Sequence, residues 1–247
     1  MTELLTALYE GDAEAVAELL AAGAPADSSD DEGTTALYLA AVLLGDVRLV
    51  RPLLTAGADP ERPGGDGALP LCGAAVHGGT EVVLALLAAG ARPDGRESDG
   101  WTPLAWAVRN GHVPVVRILL EHGADPSLPA PDGTLPLVAA AIRGSVGTVR
   151  ALLDRAAPGR TAALAEARAR RDRDPEAELR AALLARYDEP LATRTRRVPG
   201  DDGVTVVVEL LRNGMPVASD ERGTGHAEIA ALLEASDQAA ADQTAES

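Results

Sequence analysis

A chain of 247 residues with 46% hydrophobic content can bury an extended core, yet it has no Phe and only five aromatic residues, so alanine and leucine must do the packing. All 22 basic residues are arginines, which excludes a Walker P-loop and a lysine Schiff base. The net charge is −16, and the first 47 residues hold ten acidic residues and no basic one. Nucleic acid and anionic membranes are bound through Lys and Arg, so neither is expected as a partner.

Along the chain, the pair Leu-Leu recurs at Leu19-Leu20, Leu53-Leu54, Leu86-Leu87, Leu119-Leu120 and Leu152-Leu153, at intervals of 34, 33, 33 and 33 residues. A fixed period of this length marks stacked supersecondary units, none of which can bury its apolar face alone. A glycine precedes each pair at a constant offset (Gly11, Gly45, Gly78, Gly111, Gly144). Gly-Ala follows the first four pairs, at Gly23-Ala24, Gly57-Ala58, Gly90-Ala91 and Gly123-Ala124, where a helix ends on a residue free to take positive φ. Between these glycines Val82, Val83, Leu86 and Leu87, or Val115, Val116, Leu119 and Leu120, fall on one face at helical spacing.

A shorter helix lies upstream in each unit. In the fourth, Thr102 reads as the N-cap and Pro103 as the first helical position. The same slot is Gly33-Thr34-Thr35-Ala36-Leu37, Gly67-Ala68-Leu69-Pro70-Leu71 and Gly133-Thr134-Leu135-Pro136-Leu137. Each unit is therefore turn, helix, short turn, helix. Pro52 falls inside the second helix of the second unit, where it removes a backbone donor and favours a kink.

These landmarks resemble the ankyrin repeats, whose units carry Gly-x-Thr-Pro-Leu-His-x-Ala-Ala, then Gly-His, then an apolar helix ending near Gly-Ala-Asp. The fourth unit is nearly complete and ends Gly123-Ala124-Asp125. The histidine slot departs from the pattern, holding Tyr38, Cys72, Ala105 and Val138, so looser turns are expected. The resemblance implies a mainly α solenoid of about five clear repeats over 1–157, with units near 1–30, 31–64, 65–97, 98–130 and 131–157.

After Leu153 the pattern changes, because Asp154-Arg155-Ala156-Ala157-Pro158-Gly159 stands where a Gly-Ala hairpin belongs. Two helices are still predicted, from about Thr161 to Arg171 and from the N-cap Asp174 through Pro175 to about Tyr187, giving a degenerate sixth unit at 158–187. Residues 188–235 read as a small β-hairpin or meander plus a helix that caps the solenoid. Val204-Thr205-Val206-Val207-Val208 is strongly β-branched, Asn213-Gly214 is a hairpin turn, and Leu191–Val198 adds a third strand. Thr224-Gly225-His226-Ala227-Glu228-Ile229 then resembles a second ankyrin helix, and 236–247 reads as a disordered tail.

Residues that could carry chemistry are few and scattered. His77, His112, His122 and His226 are spread over separate units without a second ligand at metal spacing, so no metal, cofactor or catalytic group is assigned. Cys72 reads as a small buried hydrophobe, and carboxylate groups such as Asp30-Asp31-Glu32 read as charge solvated in turns. No apolar run approaches the ~20 residues of a membrane span. The N-terminus lacks the layout of a signal peptide, and a cytoplasmic monomer is expected.

The resemblance implies a non-catalytic protein-protein interaction module that meets its partner on the concave face, at turn tips and first-helix ends. At matching positions these are Tyr9, Glu10, Thr34, Val42, Leu43, Ala68, Val76, His77, Trp101, Arg109, Asn110, Thr134, Ile142 and Arg143. Leu43 reads alternatively as core, because a one-residue insertion nearby leaves the alignment open. Trp101 is either a partner anchor or a local staple, Trp106 reads as core, and Arg109 and Arg143 read equally as solvated surface. One alternative is an acidic inhibitor or immunity-type protein covering a basic partner. A remote alternative is an enzyme with a site in 188–235 built on His226, Asp201 and Glu228.

Overall fold

A computed structural model describes residues 2–65, 67–171, 173–187, 191–200, 203–212 and 215–245. It divides into two compact units, Met1–Thr134 and Leu135–Ser247.

The first unit is built from helix pairs. In order they are α1 (Glu3–Glu10) and α2 (Ala13–Ala21), then α3 (Ala36–Tyr38) running into a π-helical segment (Leu39–Leu43) and α4 (Val47–Thr55), then α5 (Pro70–His77) and α6 (Thr80–Ala88), then α7 (Pro103–Asn110) and α8 (Val113–Glu121). Local sequence sets the ends. Thr2, Asp12, Thr35, Asp46 and Thr102 each accept a backbone N–H of the first turn they cap. Gly11, Gly78 and Gly111 close first helices in the left-handed region at φ 69°, 73° and 76°. First helices stack on first helices, as α5 does on α7 and on the π segment, while α2, α4, α6 and α8 form the second row. Leu37, Leu53, Leu71, Leu86, Leu104 and Leu119 are almost fully buried between the rows.

The 34-residue interval has a structural cause. The extra residue of the second unit is absorbed in the π segment, where the Leu44 N–H donates to the Leu39 carbonyl at 3.1 Å, five residues back. Leu43 is 61% exposed, which excludes the core alternative. α4 runs on through Pro52, whose carbonyl accepts the Ala56 N–H at 2.9 Å, so a continuous helix carries the proline.

The turns carry more bonding than the sequence indicated. Asp27, Glu61 and Asp94 each accept a backbone N–H from the next turn, at Asp59, Arg92 and Asp125, all at 2.9 Å. These carboxylates therefore act as turn-to-turn staples and are not merely solvated charge. In the histidine slot, Cys72 Sγ lies 4.0 Å from the carbonyls of Gly95 and Trp101, a weak contact. The neighbouring bond is stronger: the Leu69 N–H donates to Glu97 Oε1 at 3.1 Å.

The second unit begins with one more pair, α9 (Pro136–Arg143) and α10 (Val146–Leu153), followed by α11 (Arg160–Arg170) and α12 (Pro175–Leu184). Asp174 caps α12 as expected, accepting from the N–H groups of Glu176 and Ala177. A three-stranded antiparallel sheet follows in the order β1 (Ala192–Gly200), β2 (Gly203–Arg212), β3 (Met215–Gly223). Thr195 stands opposite Val208 and Leu210 opposite Ala218, with a register irregularity between Leu210 and Leu211. Alternation puts Val206, Val208 and Leu210 on one face, against Leu179 and Leu183 of α12. The turn residues Asp201, Asp202, Asn213 and Gly214 lie outside the described residues. α13 (His226–Ala245) ends the chain, and helix thus extends into the residues expected as a tail, with 246–247 outside the described residues.

Candidate partner-binding site

In the first unit the π segment, α5 and the turn before α7 enclose an open groove of about 460 Å³. Val42, Ala68, Val76 and His77 line it, as do Tyr38, Gly73, Glu97, Ser98, Asp99 and Trp106. Val42 reaches the groove because the π segment lies directly on Gly73. A Cβ at that position would collide with the Val42 side chain, so α5 carries a glycine there in spite of its low helix propensity. Leu43 and Leu44 extend from the same segment, 61% and 39% exposed. An insertion has thus turned apolar side chains outward, and such surface is a common mark of contact.

Trp106 forms one side of the groove and organises its neighbours. Its indole Nε1–H donates to Glu97 Oε2 at 2.7 Å, while the other oxygen of Glu97 holds the Leu69 N–H. Trp101 stacks on Trp106 with ring centroids 4.2 Å apart and planes at 21°. The Arg109 guanidinium lies 4.9 Å from the Trp101 centroid and 5.8 Å from that of Trp106. Asn110 Nδ2 donates to the Trp106 carbonyl at 2.9 Å. Trp101 is thus packed against the Trp106 ring. Trp106, expected in the core, is only half-buried and belongs to the site. The polar handle of an indole explains this placement, since its N–H needs a partner that the alanine-lined interior does not offer.

The remaining positions group elsewhere. Tyr9 is 48% exposed and its hydroxyl donates to Asp30 Oδ2 at 3.1 Å, beside Glu10 at the end of α1. The Thr34 N–H donates to Asp30 Oδ1 at 2.8 Å, and that bond chiefly holds the Asp30 carboxyl below its ordinary range. Donation to the same carboxylate raises the Tyr9 hydroxyl. The Thr134 N–H donates to Asp132 Oδ1 at 2.9 Å and holds that carboxyl below its ordinary range, with Arg109 adding to the effect. Ile142 and Arg143 belong to the second unit and are engaged there. Arg143 pairs with Glu221 at 2.8 Å, and the Ile142 carbonyl is 3.2 Å from His226 Nε2.

Other chemistry is not assembled among the described residues. They contain no group of three or more His, Cys, Asp or Glu placed to hold a metal. Burial pushes the Cys72 thiol far up, so it stays protonated. Of the residues considered for an enzymatic site, His226 is 6% exposed and hydrogen-bonded to backbone, and Glu228 pairs with Arg150 at 2.7 Å. No helix among the described residues is long and apolar enough to cross a membrane.

Tyr38, Glu97 and Trp106 were missed from sequence. Tyr38 stands in the histidine slot, and that departure was the available signal. Residues 41–130 and 71–162 match the family model described as ankyrin repeats in three copies. No curated protein matches the chain.

Proposed function

Because this chain belongs to the ankyrin repeat family, we propose that it binds a partner protein, without catalysis, through the first-helix and turn face of residues 1–134. Ankyrin repeats are generally protein-protein interaction modules. The observation that carries the reading is the groove that Val42, Val76 and Trp106 line together, with the exposed Leu43 next to Val42 in the chain. It joins apolar area to an indole whose polar edge is already satisfied, the arrangement that favours a desolvated contact. His77, Glu97, Ser98 and Asp99 supply its polar lining, while Tyr9, Glu10, Thr34, Arg109, Asn110 and Thr134 lie elsewhere on the proposed face. The stacked helix pairs of residues 1–134 support this face. The protein acts as a monomer in a reducing cytosol, the setting that suits its single, buried, free cysteine.

A double variant, Val42→Asp with Trp106→Ala, tests the reading in a pull-down from the native host. Partners recovered by wild type are lost from the variant while its circular dichroism stays unchanged. Equal recovery by a folded variant would refute the assignment.

A second reading, cover for a basic partner, is favoured by charge. Residues 1–134 hold seven arginines against twenty carboxylates, with Glu97 and Asp99 on the groove. Its signature is an association rate that falls steeply with salt. A salt-independent rate removes it.

A further inference from the structure

We infer that α11 and α13 are the two helices of a single ankyrin repeat, split by residues 171–224, which form an inserted module of α12 and the sheet. The C-terminal helix is then the strap that completes the sixth repeat, and the sheet is an accessory hung from its turn. This differs from the contiguous sixth unit expected at 158–187.

Packing is the first ground. In a regular repeat the first helix lies on the preceding first helix, and the second lies on its own first helix and on the preceding second one. α7 lies on α5, and α8 lies on α7 and α6. In the second unit α11 lies on α9, and α13 lies on α11 and α10. α12 instead lies on β2 and β3, with Leu179 and Leu183 buried against the strands.

The second ground is an inter-repeat histidine bridge that occurs twice. His112 opens α8, and its Nε2 is 2.8 Å from the carbonyl of Val76, the penultimate residue of the preceding first helix. His226 opens α13, and its Nε2 is 3.2 Å from the carbonyl of Ile142, the penultimate residue of α9. The glycine that closes each of those helices lies against the ring. A Cβ on Gly78 would come within 2.7 Å of His112 Nδ1, and one on Gly144 within 2.8 Å of His226 Cε1. Burial repeats as well. Four, five and eight residues after Gly111 come the buried Val115, Val116 and Leu119, and at the same offsets from Gly225 come the buried Ile229, Ala230 and Leu233.

The third ground is that both ends of the inserted segment meet, as an insertion requires. Arg173 at its entry and Arg222 at its exit both pair with Glu178, at 3.6 and 2.9 Å. The Gly225 N–H returns to the Gly144 carbonyl at 3.2 Å, where a regular repeat would place its short turn. Insertions in repeat proteins collect at such turns because stacking of the two helices does not depend on the chain between them.

Hydrogen exchange on the full chain decides between the split and the contiguous repeat. Leu179→Asp should speed exchange in α12 and β1–β3 by about tenfold or more while α11 and α13 keep wild-type protection. Ile229→Asp should speed exchange in α11 and α13 by a similar factor. Leu179→Ala, which leaves a cavity and no buried charge, should give the first pattern at smaller amplitude. Loss of protection in α11 in either Leu179 variant, or an undisturbed α11 in Ile229→Asp, overturns the inference.

Discussion

The two units are fastened differently. In residues 1–134, carboxylates of one turn accept backbone N–H groups of the next, as Asp27, Glu61 and Asp94 do. Residues 135–247 hold fifteen arginines, and ion pairs from several of them join elements, among them Arg143 to Glu221, Arg150 to Glu228 and Arg168 to Glu234. Glu209 lies between Arg194 and Arg196, which hold its carboxyl below the ordinary glutamate range. A regular array lets a short acidic side chain find the same N–H every 31 or 32 residues. Where the period breaks, longer side chains must span irregular gaps, and arginine supplies the reach and the fork. The excess of acid in the first unit is thus partly structural, and only its remainder is available to a partner.

The largest effect is expected at the join peculiar to the second unit. Gly144→Ala places a Cβ at φ 79°, against the Gly223 carbonyl and the His226 ring. It should destabilise the second unit by about 1–3 kcal/mol through backbone strain and crowding, read as lost exchange protection in α9 and α13. Unchanged protection would show that α13 is not seated as described.

A smaller pair of substitutions sharpens the contrast between fastenings. Asp94→Ala should cost about 1 kcal/mol in chemical denaturation, because it leaves the half-buried Asp125 N–H without its acceptor. Arg168→Ala removes a surface pair whose side chains are 56% and 49% exposed, and should cost between about 0 and 1 kcal/mol. Equal costs would erase the distinction drawn between the units.

The smallest effect is a pH dependence confined to the second unit. Burial, with Arg170 and Arg222 nearby and Glu178 opposing them, pushes His226 below the ordinary histidine value of 6.5. Protonation therefore favours the opened state. The contribution of His226 is complete above 6.5 and is lost as pH falls from there through the lower folded value. Exchange in α13 should quicken over that interval, and His226→Gln should remove the dependence. A quickening that survives the substitution assigns it to another group.

Much of the architecture is legible in the sequence because ankyrin landmarks are local. Gly111, Thr102 and Pro103 each act within one turn of their own position. The one-residue insertion was visible as an interval of 34, but its conversion into a π segment depends on Gly73, thirty residues away in sequence, leaving room for Val42. The split repeat was hidden for a similar reason. α11 finds its partner helix only at His226, and the nearer α12 has the better cap. At the candidate site, Val42, Val76 and His77 followed from matching positions. Trp106 and Glu97 did not, because their bond joins a turn to a helix face, a proximity that helical periodicity does not report.

The claim that the groove face of residues 1–134 meets the partner is tested most directly by site-specific photocrosslinking in the native host. A photoreactive residue replaces either Leu43, at the groove, or Leu84, which is 42% exposed on α6 in the second-helix row. Crosslinking of one partner at Leu43 and none at Leu84 is the predicted result. A partner captured at Leu84 and not at Leu43 would contradict it.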